Sequence, residues 1–550
     1  MNSSSQTEEH ELARIPAEAP GPAQHARSKI RITAIMLAIY LSLFIAALDQ
    51  TVIATAIPTI STQLHSSSGQ AWIGGAYQLA NAAAAPIWAK LSDIWGRKPI
   101  LLIAVGMFFA SSILCATATS MKMLIAGRAI LGTSGGGLTQ MTSITISDLF
   151  SMRLRSLHFG LLGLVWSVAG GLGPILGGAF TEFLSWRWTF WINLPISGAA
   201  FVLLWGFLDV HNPRTRFVEG VKAIDWLGSL SLVALVLMLL LGLDFGGATF
   251  PWNSPTVICL IVFGGLMTIF FILSEKRLAR YPLMPLGIFR EKSNVASLAL
   301  CFMHGFVALA GEFYLPLFFQ SVKHASPFHS GLLTLPITLA EGILAVFTGI
   351  LMHRFGRYRE VMWVGTAIMV LGNGLYIKMA AASSLAELVI FQIVAGIGAG
   401  MLFDSPVIAI QAMVSQQDTA AATSTLWLIR NIGSSVAVVV AGVVFQNGVD
   451  DRVHGLVNAG VPTTVTDKLA GGEAAAHASI LGTISDPSQR AAVQHAFAGA
   501  FRNIWILTTC VASVAMAAST FIAKKRLSTE HVETKTGLEE MKVSRVNTTA

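Results

Sequence analysis

Six ionisable residues stand inside runs of otherwise apolar and small side chains: Asp49, Arg128, Glu312, Glu341, Asp404 and Arg430. A charge in such a run is costly unless it is paired or lines a wet cavity, so each is a candidate functional group. The chemistry open to them is proton exchange and neutralisation of a charged cargo. At the helical rise, Asp49 lies about 13 Å below the outer end of the first run and Arg128 about 8 Å below that of the fourth. These two can meet. The same measure puts Asp404 and Arg430 each about 12 Å above the inner ends of their runs, a second pair at matching depth. Asp49 is expected to take up and release a proton, held charged while Arg128 is near and freed when the two separate. The alternative is a static ion pair that tethers two helices. Glu312 and Glu341 fall mid-run. They suit a cationic cargo or a shared proton, or else stay neutral and hydrogen-bonded to a neighbouring helix.

A second class of residue concerns movement rather than charge. The octapeptide LSDIWGRK, Leu91 to Lys98, has a weaker copy, LMHRFGRY, at Leu351 to Tyr358. In each, a Gly marks a tight turn and basic residues follow at once, as in a short loop on the positively charged side of a bilayer. Asp93, Gly96, Arg97 and Lys98, with Gly356 and Arg357 in the copy, are therefore candidates for a latch that holds one conformation and opens in another. His353 replaces Asp93 in the copy, so the second latch is expected to be weaker. Gly170, Gly173, Pro174, Gly177 and Gly178 crowd the fifth run and form a candidate hinge. Gly170, Pro174 and Gly178 recur every four residues and are expected to share a face of close helix contact. Gln78, Asn81 and Gln140 are polar, inward-facing candidates for binding substrate.

The elements that must position these residues follow from composition. Hydrophobic residues make up 54% of the 550 and charged ones 12%, about half the charge of an ordinary soluble chain. That much apolar surface needs a bilayer. With about 20 apolar residues needed per crossing, fourteen spans are expected, centred near Leu43, Ala80, Phe108, Gly135, Val168, Phe201, Leu237, Phe263, Gly305, Leu339, Val370, Gly396, Val438 and Val514. The first begins near Ile32, and the leader before it is too long and too acidic for a cleaved signal peptide. An even number of spans puts both tails on one side, and the excess of Lys and Arg assigns that side to the cytoplasm. The net charge of +7 thus reflects topology rather than affinity for nucleic acid. The four Cys fall in apolar runs without paired spacings and are read as small buried hydrophobes. The sequons at Asn2 and Asn547 sit in the tails and are read as chance matches.

The two octapeptides fall between spans 2 and 3 and between spans 10 and 11, so two six-helix units with a pair inserted between them fit the spacing. Parallel repeats of this kind hold substrate near the midplane. The expected organisation is a cytoplasmic tail over 1–31, a six-helix bundle over 32–208 and a two-helix insertion over 209–292. A second bundle follows over 293–523, with an exposed, partly ordered outer loop at about 447–500, and then a cytoplasmic tail over 524–550. Span 7 is expected to start at Asp225, as an N-cap, and Trp226.

Five segments in order resemble the major facilitator superfamily. LDQTVIATAIPTI (Leu48 to Ile60) is similar to the first-helix motif of its fourteen-span drug/proton antiporter branch, with Asp49 in the acidic position. LSDIWGRK matches the loop signature, with Ala89 where a Gly is usual. LIAGRAILGTSGGG (Leu124 to Gly137) resembles the fourth-helix motif, with Arg128 in the position linked to proton transfer. GGLGPILGG (Gly170 to Gly178) resembles the antiporter motif of the fifth helix, and WRWTFWINLP (Trp186 to Pro195) resembles a stretch of fungal members. The likeness covers nearly the whole chain apart from the tails and the late outer loop.

The resemblance implies an all-α polytopic membrane protein of about fourteen transmembrane helices in a 6+2+6 major facilitator fold. It implies proton-coupled efflux of a small amphipathic molecule, a toxin, drug or secondary metabolite, across the plasma membrane. Arg128 and Gly132 shifted by 264 fall on Gln392 and Gly396, so proton handling is expected to concentrate in the first half. The expected partners are a small-molecule substrate, protons and lipid; a monomer is expected, with no nucleic acid, metal or cofactor. No catalytic residues are expected, since neither a Walker-type loop nor HExxH occurs. Two alternatives stand beside this reading: a proton-driven carrier for a siderophore or a vacuolar basic amino acid, and a non-transporting membrane sensor; the vacuolar membrane is the alternative location.

Overall fold

The structure, a computed structural model, describes residues 28–66, 69–247, 250–279, 281–470, 484–532 and 534–539. The sequons at Asn2 and Asn547 and most of the leader lie outside the described residues. Among the described residues the chain is helical, with no strand. The long helices are α1 (Lys29–Val52), α2 (Gln70–Trp95), α3 (Arg97–Ala116), α4 (Met121–Leu149), α5 (Met152–Phe183), α6 (Asn193–Phe207) and α7 (Trp226–Phe245). They continue as α8 (Pro255–Arg277), α9 (Lys292–Ser321), α10 (Leu335–Phe355), α11 (Arg359–Tyr376), α12 (Leu385–Leu402), α13 (Thr419–Asn458) and α14 (Pro487–Ser519).

Among the described residues, eleven segments are long and apolar enough to cross a bilayer. The three others, α2, α4 and α11, carry more polar and small residues. For α2 and α4 the reason is visible: they press together, and a Cβ at Gly132 would lie 2.2 Å from the Tyr77 carbonyl oxygen and one at Gly136 2.6 Å from that of Asn81. Small residues four apart let the two backbones touch, which neighbours with bulky apolar side chains would prevent. At the other extreme α8 turns Ile258, Val262, Phe263, Leu266 and Ile269 outward, as a helix facing lipid must.

Helices α1 to α6 pack among themselves, as do α9 to α14, and the two groups meet where α5 lies along α10 and α2 along α13. The inserted pair α7 and α8 packs together, and Leu232, Leu235 and Val236 of α7 share a core with Ala82 and Ala83 of α2 and Leu428 of α13. Asp225 caps α7, accepting from the Gly228 amide at 2.9 Å.

Two departures from sequence expectation stand out. Helix α1 starts at Lys29, three residues before Ile32, with the Ser28 hydroxyl capping it. The larger one is the outer loop. Helix α13 runs unbroken for 40 residues to Asn458, a short helix covers Thr463–Leu469, and α14 already begins at Pro487. Leu456, Val461, Val465, Leu469, Ile484, Val493 and Phe497 are buried together. The described part of 447–500 is therefore a packed helical cap rather than an exposed loop.

Candidate functional site

Helix α1 brings Asp49 to full burial against α4 and α6. One carboxylate oxygen takes the Arg128 guanidinium in an ion pair, and the other accepts from Asn193 Nδ2 at 3.0 Å. Arg128 also donates through Nε to the Ile73 carbonyl at 2.8 Å and lies 4.5 Å from the centre of the Tyr77 ring. Asn193 donates further to Ser112 Oγ at 3.3 Å. The group is buried, and each oxygen of its acid accepts from a donor. Sequence reasoning did not find Asn193, although it sits inside WRWTFWINLP, because a single amide near a span end reads as solvated.

The second half carries a different arrangement. Helix α12 stops at Leu402 and resumes as a short helix, Ser405–Met413, because Pro406 has no N–H to donate to the Leu402 carbonyl four residues back and its ring crowds that carbonyl. The break leaves Asp404 buried, with neither carboxylate oxygen hydrogen-bonded among the described residues. It faces the seam, since a Cβ at Gly163 of α5 would lie 3.6 Å from its Oδ2. The expected Asp404–Arg430 ion pair is absent. Arg430 instead donates to the Phe403 carbonyl at 3.3 Å, with its guanidinium 4.1 Å from the Phe403 ring centre and 5.1 Å from that of Trp427. Two aromatic faces and a carbonyl hold the cation away from the carboxyl. Glu341 is half-buried and Glu312 is accessible, and both lie within electrostatic reach of Arg430. His304 is buried nearby, its Nε2 3.0 Å from the Ala399 carbonyl.

Of the polar candidates, Gln78 is exposed and donates to Gln50 Oε1 at 3.2 Å, and Asn81 is half-buried. Gln140 is buried with its amide nitrogen unpartnered. No group of three or more His, Cys, Asp or Glu placed to hold a metal ion occurs among the described residues.

At the end of the molecule that carries the tails, Gly96 adopts φ 93°, which turns the chain between α2 and α3. Arg97 is buried there and donates to Asp93 Oδ1 and Ser92 Oγ, each at 2.5 Å, and to Asp148 Oδ2 at 2.7 Å. Asp148, at the end of α4, is an ion-pair partner of Arg97 that the octapeptide alone did not reveal. Lys98 donates to the Trp205 carbonyl at 2.8 Å. In the second copy Gly356 takes φ 66°, His353 Nδ1 lies 3.0 Å from the Arg153 carbonyl, and Arg357 is exposed. The Tyr358 hydroxyl donates to the Ala523 carbonyl at 2.8 Å, and burial pushes its pKa up to about 12. Across the seam Arg155 donates to Gln411 and Gln416, both at 3.2 Å, and Gln411 donates to Ser147 Oγ at 2.9 Å. The two halves are thus closed at this end by buried polar bonds.

The hinge glycines divide differently from expectation. A Cβ at Gly173 would lie 2.0 Å from Thr51 Oγ1 and one at Gly177 2.1 Å from the Val52 carbonyl, whereas Gly178 faces open space and Gly170 makes ordinary contact with Thr338 at 3.5 Å. The close face is therefore Gly173 and Gly177 against α1, the stripe next to the one formed by Gly170, Pro174 and Gly178. Gly177→Val is expected to lower stability by about 1–3 kcal/mol through overpacking against fixed backbone, read as a fall in Tm in detergent. Gly178→Val is expected to leave Tm within a degree or two of the parent.

Two bundles of membrane-crossing helices that close on a seam lined by acids and arginines define a multi-pass membrane carrier. The sequence matches the model of the Major Facilitator Superfamily over residues 39–340 and 301–522, and the chain belongs to that superfamily. It is 42% identical over 511 residues to "Efflux pump dotC" of Dothistroma septosporum, covering 93% of this chain and 87% of that protein. It is 40% identical to "MFS-type transporter ppz2" of Metarhizium majus, covering 93% and 88%, and 35% identical to "Efflux pump FUS6" of Gibberella fujikuroi, covering 93% and 92%. Among solved structures, the human organic anion transporter MFSD10 superposes with a TM-score of 0.56 at 15% identity, over 87% of this chain and 99% of that one. The proton:xylose symporter XylE gives a TM-score of 0.56 at 15% identity, over 94% and 99%. At that identity the likeness concerns the fold alone.

Proposed function

We propose that this chain exports a small amphipathic molecule of the toxin or secondary-metabolite class from the cytoplasm across the plasma membrane, in exchange for protons. The relatives named efflux pumps support export. The contrast between two buried acids supports proton exchange. Asp49 has every oxygen satisfied by donors, as a carboxylate needs, while Asp404 at the seam has none. A buried carboxylate without donors is costly, and a proton is the simplest partner that removes the cost. Rocking of the halves changes which surfaces face the seam, and so changes the partners of Asp404 and of the exposed Glu312. The bonds that close the tail end fit an outward-open state, from which cargo leaves and protons enter.

Proteoliposomes with an imposed pH gradient test this, with a fluorescent amphipathic cation and an amphipathic weak acid as probes. Flux that follows the gradient and collapses with a protonophore is expected. Flux independent of the gradient would remove the protons from the mechanism, and no flux of any probe would favour the sensor reading. Preference for the cation would point to Glu312 and Glu341 as its counter-charges.

A further inference from the structure

Residues 523–532 and 534–537 run across the tail end of both halves and bond to each. On the second half, the Leu527 amide donates to the Gly356 carbonyl at 3.1 Å and Lys525 Nζ to the Ala412 carbonyl at 2.6 Å. On the first, the Arg153 amide donates to the Ser528 carbonyl at 3.2 Å, the Thr536 amide to His211 Nδ1 at 3.1 Å, and the Gly537 amide to the Asp93 carbonyl at 2.8 Å. Thr534 sits at the centre and is buried. Its hydroxyl donates to Asp148 Oδ1 at 2.7 Å and accepts from Gln416 Nε2 at 2.8 Å. One side chain thereby joins Asp148 of the first half to the α12–α13 loop of the second. The same segment walls a cavity of about 500 Å³ beneath the seam, lined also by Lys90, Asp93, Tyr281, Glu291 and Asp418.

We infer that residues 523–532 and 534–537 act as a strap that locks the cytoplasmic mouth shut, with the Thr534 hydroxyl as its pin, and that it must lift before cargo can enter. Each bond from the strap to one half alone would travel with that half. The Thr534 pair cannot survive separation of Asp148 from Gln416, so opening breaks it. The pin also explains a polarity that sequence reasoning left unassigned: a threonine is buried against a carboxylate that Arg97 already engages, which leaves one acceptor oxygen for the strap. A phosphoryl group or an acidic side chain at position 534 would meet the Asp148 carboxylate, so negative charge there holds the strap off.

This inference rests on alternating access of the two halves but not on the coupling ion, and its test needs neither substrate nor gradient. Ser147, buried next to Asp148 in the chain and bonded to Gln411, is changed to Cys in a chain where Cys259 and Cys510, which are exposed rather than buried as expected, are alanine. Its reaction with a membrane-impermeant maleimide is timed from the cytoplasmic face of inside-out vesicles. Thr534→Val, which keeps the shape and removes both bonds, is expected to speed labelling by about tenfold, the shift in open population that loss of two bridging bonds brings. Thr534→Ser is expected to label at the parent rate and Thr534→Glu at least as fast as the valine variant. Equal rates in the Val, Ser and parent proteins would overturn the inference. Should Thr534→Val fail to accumulate, His211→Ala frees the far end of the strap without touching the seam. A smaller rise there supports the strap, and an unchanged rate overturns it.

Discussion

Asp49→Asn is expected to abolish gradient-driven export while the protein still reaches the membrane. The substitution removes the acid that pairs with Arg128 and leaves that guanidinium buried beside Tyr77 with the Ile73 carbonyl as an acceptor. Breaking a buried pair from one side costs about 3–5 kcal/mol, mostly as the penalty of the stranded charge, so a fall in Tm is expected as well. The double variant Asp49→Asn with Arg128→Gln separates the two effects. It removes the stranded charge, so stability is expected to return towards the parent while gradient-driven flux stays at background. Recovery of coupled flux in the double variant would reduce Asp49 and Arg128 to a tether between α1 and α4. Proton exchange would then have to reside wholly with Glu312, Glu341 and Asp404.

Gly349→Leu is expected to stop transport whatever gradient is applied. Where α5 crosses α10, a Cβ at Gly349 would lie 2.6 Å from the Ser156 carbonyl oxygen, and one at Gly160 would lie 2.6 Å from that of Ala345. Both neighbours are backbone, so neither can rotate aside. A leucine there pries the halves apart at the end where Arg155, Gln411 and Gln416 seal the seam, and the sealed state is lost. Overpacking of this kind costs about 1–3 kcal/mol, enough to move a two-state equilibrium by roughly one to two decades. The initial rate of export at fixed protein density measures it. Gly178→Leu, placed where nothing lies within 4 Å, is expected to keep at least half of the parent rate. A Gly349→Leu protein that exported normally would show that this crossing stays open throughout the cycle.

Much of the layout was legible in the amino-acid order because a bilayer enforces length and polarity together. The runs, the Asp225 cap, the glycine turns of the two octapeptides and the depth match of Asp49 with Arg128 are of this kind. What escaped detection needed knowledge of neighbours. Two stripes of small residues on α5 have the same four-residue period, and nothing in the order of residues says that Gly173 and Gly177, rather than Gly170 and Gly178, meet α1. Matching depth suggested that Asp404 pairs with Arg430, but the aromatic faces of Phe403 and Trp427 claim the cation from positions that depth cannot reveal. The outer cap escaped because its apolar residues are diluted by Gly, Ala, Thr and Asp, although Val461, Val465 and Leu469 and then Val493, Phe497 and Phe501 do recur every fourth position, as a helix face requires. Asn193 and Asp148 each looked like an ordinary polar residue near a span end until its partner lay beside it.

Helix α13, at 40 residues, is about 60 Å long, roughly twice the thickness of the hydrocarbon layer. The overhang it forms with α14 is welded by Phe445, Phe497, Phe501 and Trp505, whose rings touch in series and belong to one half only. That makes the dome a lever arm: a small tilt of the second bundle sweeps its tip through a larger arc on the side of the membrane opposite the tails. A binding protein raised against the dome would therefore act as a brake on the cycle from that side, without touching the cargo path.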